Sequence, residues 1–463
     1  MEVTISSNRH ALDLDYPAQA SIRGLHEDQR LLSAVQAYRF FYPSVSVEAI
    51  FHGNREAGIE DGKALVLLAA GPRHLIFTAN SDTPYACAAL DLAMMGPVVI
   101  DLPRGPYIGL VDDHHHRWVV DLGIPGRDAG HGGRYLIVPP GYFGELPDGH
   151  HIAYSSTHKA LLALRALPHD GDLEAAKAAL REVRVFSLAV PEVVLPYVDI
   201  STRPIDGTPL RWETSIEYWH RLDAIIQEEP LIDEYRPMYG ALAAIGITKG
   251  HPFEPDPRTR DILEAAASIG LDQMRVEGFA SDRLDRIVWD DRRWEWVGLV
   301  PDDPNFETKN FLDLQARDRW FFQAICTSPA MFRRHVGTGS VYWLASRDAT
   351  GAYLDGGRPY KLTVPHPVPA SMFWSVTAYD AKTRSQVVTP QDRAVLSSLV
   401  DPLVPDADGH VDLYFGPSPP SGRERQWIQT TPGGGFFLYF RIYGPESEAL
   451  DGTWRLGDLE PLR

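Results

Sequence analysis

The chain is 463 residues long, 44% hydrophobic by composition, and carries a formal net charge of -18. Such a length exceeds one ordinary core, so two or three domains are expected, and so acidic a surface disfavours nucleic acid and anionic membrane as partners. The two cysteines, Cys87 and Cys326, exclude a disulfide framework, and neither has the close neighbours of a metal-binding cysteine motif, so both read as small buried apolar residues.

In chain order, the first residues lack a basic start followed by an apolar stretch, which is not the pattern of a signal peptide. No apolar run reaches the ~18 residues needed to span a bilayer, and the expected location is the cytoplasm. Residues 25–42 place apolar side chains at helical spacing, and Pro43 is expected to end that helix. From His74 the pattern turns to β, with the runs HLIFTA, YACAALDL, PVVIDLP, YIGLVDD and RYLIVPP broken by turn signals. Residues 172–183 read as a helix, and three segments between residues 212 and 325 have the period of amphipathic helices. From Gly337 the β runs return. The expected organisation is an N-terminal helical segment over residues 1–60, a first β domain over 61–200, a helical connection over 201–335 and a second β domain over 336–463.

The two β regions are related. Residues 107–120, YIGLVDDHHHRWVV, recur without a gap 267 residues later as WSVTAYDAKTRSQV. Tyr107 falls on Trp374, Asp113 on Asp380, Arg117 on Arg384 and Val120 on Val387. VVIDLP parallels YKLTVP, RYLIVPP parallels VDLYFGP, and the run through Arg165 parallels the run through Arg441. These features in one order point to duplication, with the copies packed about a pseudo-twofold axis. The expected class is α+β, mainly β: two related antiparallel β-sandwiches with helices between them. A homo-oligomer is compatible with this plan.

Three polar clusters could carry chemistry. In NSDTPY, Asn80 and Thr83 could bind a polar ligand, Asp82 could orient a neighbour and the Tyr85 hydroxyl could donate; the plainer reading is a tight turn. In DDHHHR, an extended strand would put Asp112, His114 and His116 on one face, a ligand set for zinc, iron or nickel, and Asp113, His115 and Arg117 on the other. A hairpin would instead make the triplet a solvated tip. The second copy keeps the Asp and the Arg but no His, so the shared pair reads as structural, such as an ion pair at a strand end. Arg441 and Tyr443 share a face of their strand, and so apolar a setting demands that Arg441 find a ligand anion or a carboxylate such as Asp380. No GxSxG elbow, GxxxxGK[ST] loop, strand-borne GxGxxG or HExxH motif is present.

The stretches TANSDTPYACAALDL, VVIDLP and GGRYLIVPPGY resemble the domain of unknown function 1254. FWSVTAYD, DGHVDLYFGP, QWIQTTPGGGFFLYFRIYGP and LDGTWRLGDLEP resemble its usual C-terminal companion, domain of unknown function 1214. The resemblance implies a jelly-roll-like sandwich at each end, with helices packed around them. Relatives usually carry aliphatic or amide residues where this chain has His114, His115 and His116.

Taken together, these residues lead to the expectation of an enzyme acting on a small polar molecule by hydrolysis or related acid-base chemistry, in the first sandwich near the domain junction. His114, His115 or His116 would be the base, or with Asp112 a ligand of a divalent transition metal. Asp82 and Asp113 would orient it, Tyr85 would donate to developing charge, and Asn80, Thr83, Arg117, Arg441 and Tyr443 would bind substrate. The alternatives are a carbohydrate- or polyol-binding jelly-roll protein without catalysis and, behind it, a scaffold with no small-molecule site.

Overall fold

The structure, a computed structural model, describes residues 12–337 and 339–462. The expectation drawn from the first residues falls partly on residues 1–11, outside the described part. Two compact units are distinguished: residues 1–42 with 211–274, and residues 43–210 with 275–463.

Helix α1 spans Gln19–Glu56 and does not end at Pro43, which lies inside it. A proline in a helix interior removes one backbone bond and crowds the preceding turn. Here burial on both sides of Pro43 offsets that cost, since Phe41, Tyr42, Val45 and Val47 are all fully buried. In the smaller unit Tyr38 and Tyr42 of α1 pile against Tyr218 and Trp219, with the Tyr38 and Tyr218 ring centroids 4.3 Å apart.

In the larger unit the first β lobe holds β1 (Leu65–Leu68), β2 (Tyr85–Asp91), β3 (Val98–Leu102), β4 (Tyr107–Asp113), β5 (Trp118–Gly123), β6 (Gly133–Val138), β7 (His151–Tyr154), β8 (Lys159–Ala166), helix α2 (Leu173–Arg181), β9 (Arg184–Ser187) and β10 (Tyr197–Asp199). HLIFTA contributes a two-residue strand only, His74–Leu75. One sheet runs β10-β1-β2-β8-β4-β5 and a second runs β7-β6-β3-β9. Alternation along each strand gives the larger sheet two apolar faces. Leu65, Leu67, Ala86, Ala88, Leu162 and Leu164 point into a core shared with Val98, Ile100, Tyr135 and Ile137 of the smaller sheet. Val66, Leu68, Cys87, Leu161 and Ala163 point the other way.

Helices α3 (Ile216–Glu228) and α4 (Pro257–Ala280) follow. The second lobe holds β11 (Glu295–Trp296), α5 (Leu314–Gln323), β12 (Ser340–Ala345), β13 (Tyr360–Val364), β14 (Ala370–Asp380), β15 (Val395–Ser397), β16 (Val411–Gly416), β17 (Trp427–Gln429), β18 (Phe436–Pro445) and β19 (Leu459–Pro461). Its sheets run β11-β12-β18-β14-β15 and β17-β16-β13-β19. Val341, Trp343, Val376, Leu438 and Phe440 fill its core together with Leu362, Val364 and Leu413 from the other sheet.

The two lobes match in pairing as well as in order. The β7–β6 and β17–β16 pairs are both parallel, and β3 and β13 each take antiparallel partners on both sides. The two smaller sheets are therefore mixed, as is the larger sheet of the first lobe through its parallel β10–β1 pair, where purely antiparallel ones were expected; the larger sheet of the second lobe is antiparallel throughout. Ile108 pairs with Arg165, and Ser375, its counterpart at the 267-residue offset, pairs with Arg441. On its other side Arg165 pairs with Tyr85, and Arg441 with Tyr342. Each lobe thus has one arginine at the same place in the same central strand, with a tyrosine beside it.

Candidate functional site: a cavity with two buried arginines

The second apolar face of each large sheet needs covering, and the two faces do so incompletely. A cavity of about 420 Å³ is lined by Val66, Leu68, Leu110 and Leu161 from one lobe and by Tyr342, Tyr439 and Tyr443 from the other. Ile50 of α1 and Trp320 of α5 also line it. Most of this wall is aliphatic or aromatic, and Arg165 and Arg441 both lie on it.

The surroundings of the arginines are tyrosines. Arg165 Nη1 lies 3.5 Å from the Tyr443 hydroxyl, with its guanidinium 5.8 Å from the Tyr85 ring centroid and 5.9 Å from that of Tyr443. Arg441 donates from Nη1 to Thr377 Oγ1 at 2.9 Å and from Nη2 to the Thr78 carbonyl at 2.9 Å. The expected bridge from Arg441 to Asp380 does not form. Among the described residues no carboxylate lies within ion-pair distance of either arginine. Asp82 is the nearby acid, but burial pushes its carboxyl above the usual range, against the hydrogen bond from Ser375 and the field of Arg441. Two guanidinium groups that stay charged thus face a largely apolar space.

The NSDTPY loop seams the lobes together. Asn80 Nδ2 donates to the Tyr443 hydroxyl. Asn80 Oδ1 accepts the Asp82 amide at 2.5 Å, the Asx turn expected of such a stretch. Asp82 Oδ2 accepts from Ser375 Oγ at 2.6 Å, and Gln386 Nε2 donates to Ser81 Oγ at 2.6 Å. Of this loop Asn80 and Tyr85 reach the cavity; Asp82 and Thr83 are buried away from its wall.

The histidines lie elsewhere. Residues 114–117 form a hairpin turn between β4 and β5, not an extended strand, so the alternation that grouped Asp112, His114 and His116 does not hold. The turn is not a solvated tip either, because α1 and α5 cover it: all three histidines are at most 2% exposed. His115 Nδ1 is 2.7 Å from Ser44 Oγ, the His114 ring lies 5.3 Å from Phe51, and the His116 ring stacks 5.2 Å from Phe321. His114 Nε2 faces Glu48 at 3.8 Å. None of the three lines the cavity. Asp113 closes the turn, its Oδ1 accepting the amides of His115 at 2.7 Å and Arg117 at 2.9 Å while Ser156 donates to Oδ2. Asp380 closes the second copy's turn in the same way, accepting the amides of Lys382 and Thr383. The shared Asp is thus a turn cap. Arg384 is buried with its guanidinium 4.5 Å from the Phe77 ring centroid and 4.6 Å from that of Phe322. Arg117 is half-buried at the start of β5.

Asp121, which sequence reasoning missed, is the acid on the cavity wall. Its signal was a lone carboxylate inside the apolar run WVVDLG. Burial pushes its carboxyl up to about 7, and the neighbouring Asp112 adds to this, while the Trp118 indole and Ser328 oppose it. A group held protonated in the folded state favours folding at low pH. As pH rises from about 4, where the unfolded chain's carboxylates ionise, toward about 7, this contribution is lost. Asp121→Asn should remove that part of the pH dependence, gaining on the wild type by up to about 4 kcal/mol by pH 8. Urea unfolding at pH 4 and pH 8 measures it, and equal losses in both proteins would refute the assignment.

Comparison with known proteins agrees with this architecture. Residues 65–186 match the family described as Protein of unknown function (DUF1254). Residues 339–447 match the family described as Protein of unknown function (DUF1214), so the chain resembles both, in that order. The VPA0106 protein from Vibrio parahaemolyticus has a similar crystal structure, with 16% identity, a TM-score of 0.58, and coverage of 94% of this chain and 100% of that one. An uncharacterised protein from Burkholderia cenocepacia aligns over 96% of this chain and 97% of its own at 11% identity and a TM-score of 0.41. No curated protein matches the chain. Among the described residues no helix is long and apolar enough to cross a membrane.

Proposed function

We propose that the chain binds a small amphipathic organic anion, a carboxylate on an apolar body, in the cavity of the larger unit. The observation that carries this reading is the pair Arg165 and Arg441, two buried guanidiniums that have no carboxylate partner among the described residues and lie on a largely apolar wall. Desolvating such groups is costly unless an anion offsets it. Aliphatic side chains give the ligand's body a place to be buried, at ~25 cal/mol per Å² of apolar surface removed from water. We also read each lobe as a sandwich of the jelly-roll kind, a reading supported by the single apolar core that both its sheets fill.

Titration calorimetry with decanoate and decanol tests the proposal. Decanoate should bind at one site, and decanol, with the same body and no charge, at least about tenfold more weakly, a difference of ~1.4 kcal/mol. Equal affinities would remove the anion from the argument.

A second reading, turnover of the bound molecule by acid-base chemistry, is favoured by Asp121, whose carboxyl is poised near neutrality on the same wall. It differs from the histidine-based hydrolysis first expected, since His114, His115 and His116 have no face on the cavity. Hydrolysis of p-nitrophenyl decanoate that is lost in Asp121→Asn, with decanoate binding kept, would favour it over binding alone. Sugar binding has less support: among the described residues no tryptophan is strongly exposed as a stacking platform.

A further inference from the structure

The fold brings Cys326 to the histidine turn. Asp112 is the last but one residue of β4, His116 follows in the turn with a left-handed φ of 55°, and Cys326 lies just beyond α5 with a φ of 63°. Their carboxylate, imidazole and thiol ligand atoms all lie within 4.8 Å of one another, and all three residues are buried. We propose that Asp112, His116 and Cys326 form a binding site for a zinc-class divalent cation. His114, expected from the sequence to be a ligand, is directed at Glu48 instead, and the cysteine takes its place.

Three observations support the site. Asp112 Oδ1 and His116 Nε2 are buried and have no hydrogen-bond partner, a costly state for polar atoms that a cation would relieve. Asp112 is already oriented, since its Oδ2 accepts the Thr327 amide at 2.8 Å and lies 3.4 Å from His116 Nδ1. Cys326 also lies on the cavity wall, which gives a cation a route in and leaves room for a solvent ligand.

The donor set selects the metal class. One sulfur, one nitrogen and one carboxylate suit zinc or cobalt and not magnesium or calcium, which prefer all-oxygen shells. Metal-ligand bonds of about 2.0–2.3 Å require the three side chains to close in slightly, within reach of rotamer adjustment. Burial raises the Cys326 thiol and the Asp112 carboxyl and lowers the His116 imidazole. A metal takes the thiolate, so the Cys326 proton passes to solvent as the metal-sulfur bond forms.

The test uses the full chain carrying Cys87→Ser, freed of metal by chelation, so that Cys326 is its only thiol. Addition of cobalt(II) should produce a thiolate-to-cobalt charge-transfer band that saturates at one equivalent and is bleached by zinc(II). A further Cys326→Ser change should abolish the band and weaken zinc(II) binding by at least about 100-fold, beyond the loss typical of outer-shell changes. Circular dichroism establishes that both variants are folded. No band in the folded Cys87→Ser chain would overturn the site, whether or not the second variant folds. Zinc affinity unchanged by Cys326→Ser would overturn it equally, placing the ion on exposed histidines. The measurement is made without a carboxylate ligand, so its outcome is independent of the anion reading.

Discussion

Replacing Arg165 with methionine should weaken decanoate binding by roughly 10- to 150-fold while leaving the empty protein at least as stable as the wild type. The binding loss is that of a charge-assisted hydrogen bond, about 1.5–3 kcal/mol. The stability side follows from what surrounds the guanidinium: a tyrosine hydroxyl at 3.5 Å and two aromatic rings but, among the described residues, no carboxylate in ion-pair reach. A buried charge of this kind is a burden on the empty fold, and an apolar residue of similar length is often neutral or stabilising there. Arg441→Met should lose binding similarly but also lose some stability, because Thr377 Oγ1 would lose its donor and the Thr78 carbonyl would keep only the longer bond from the Tyr379 hydroxyl at 3.2 Å. Thermal unfolding and calorimetry on the two variants separate the effects. If Arg165→Met bound decanoate as the wild type does, the anion site would not be at this arginine.

Trp343→Ala should destabilise the larger unit by about 3–5 kcal/mol, the cost of emptying a large aromatic site in a packed core. Trp343 is fully buried on β12, with ring centroids of Trp289 at 4.8 Å, Trp296 and Phe440 at 5.9 Å and Trp454 at 6.1 Å. The wall is so largely aromatic that it has few flexible groups able to close over the gap. Against a typical total of about 5–15 kcal/mol, this one change removes a large part of the stability. Trp343→Phe should cost much less, since it keeps a ring in place and removes an indole N–H that has no acceptor. Urea midpoints compare the three proteins, and a loss below about 1 kcal/mol in Trp343→Ala would show the core collapsing around the gap.

The fold was largely legible because the strands carry period-2 patterns and because the repeat survives at the level of single residues. The offset that puts Tyr107 on Trp374 also carries the pairing partner of Arg165 onto that of Arg441. Pro43 misled because a local rule for ending helices gave way to burial on both sides of it. Part of the cavity wall was legible: strand alternation put Arg441 and Tyr443 on one face, and from the polar NSDTPY stretch Asn80 and Tyr85 also reach the wall. It was not legible at His114, His115 and His116, since a polar triplet in a turn reads the same whether water or two helices cover it. Cys326 was missed for the same reason. It lies 210 residues from His116 in the chain, and only the tertiary fold brings their ligand atoms together.

The equivalence of Arg165 and Arg441 bears on how such a cavity could arise. Two identical copies of one lobe, packed face to face, would already present an arginine and its neighbouring tyrosine from each side, as a symmetric dimer does. Joining the copies in one chain frees each from serving both roles. Here only the first half has acquired the histidine turn, while the second keeps Asp380, Lys382 and Thr383 at its own hairpin. A symmetric site would hold a molecule with a distinct head and tail in two equivalent orientations; two halves that differ can favour one of them.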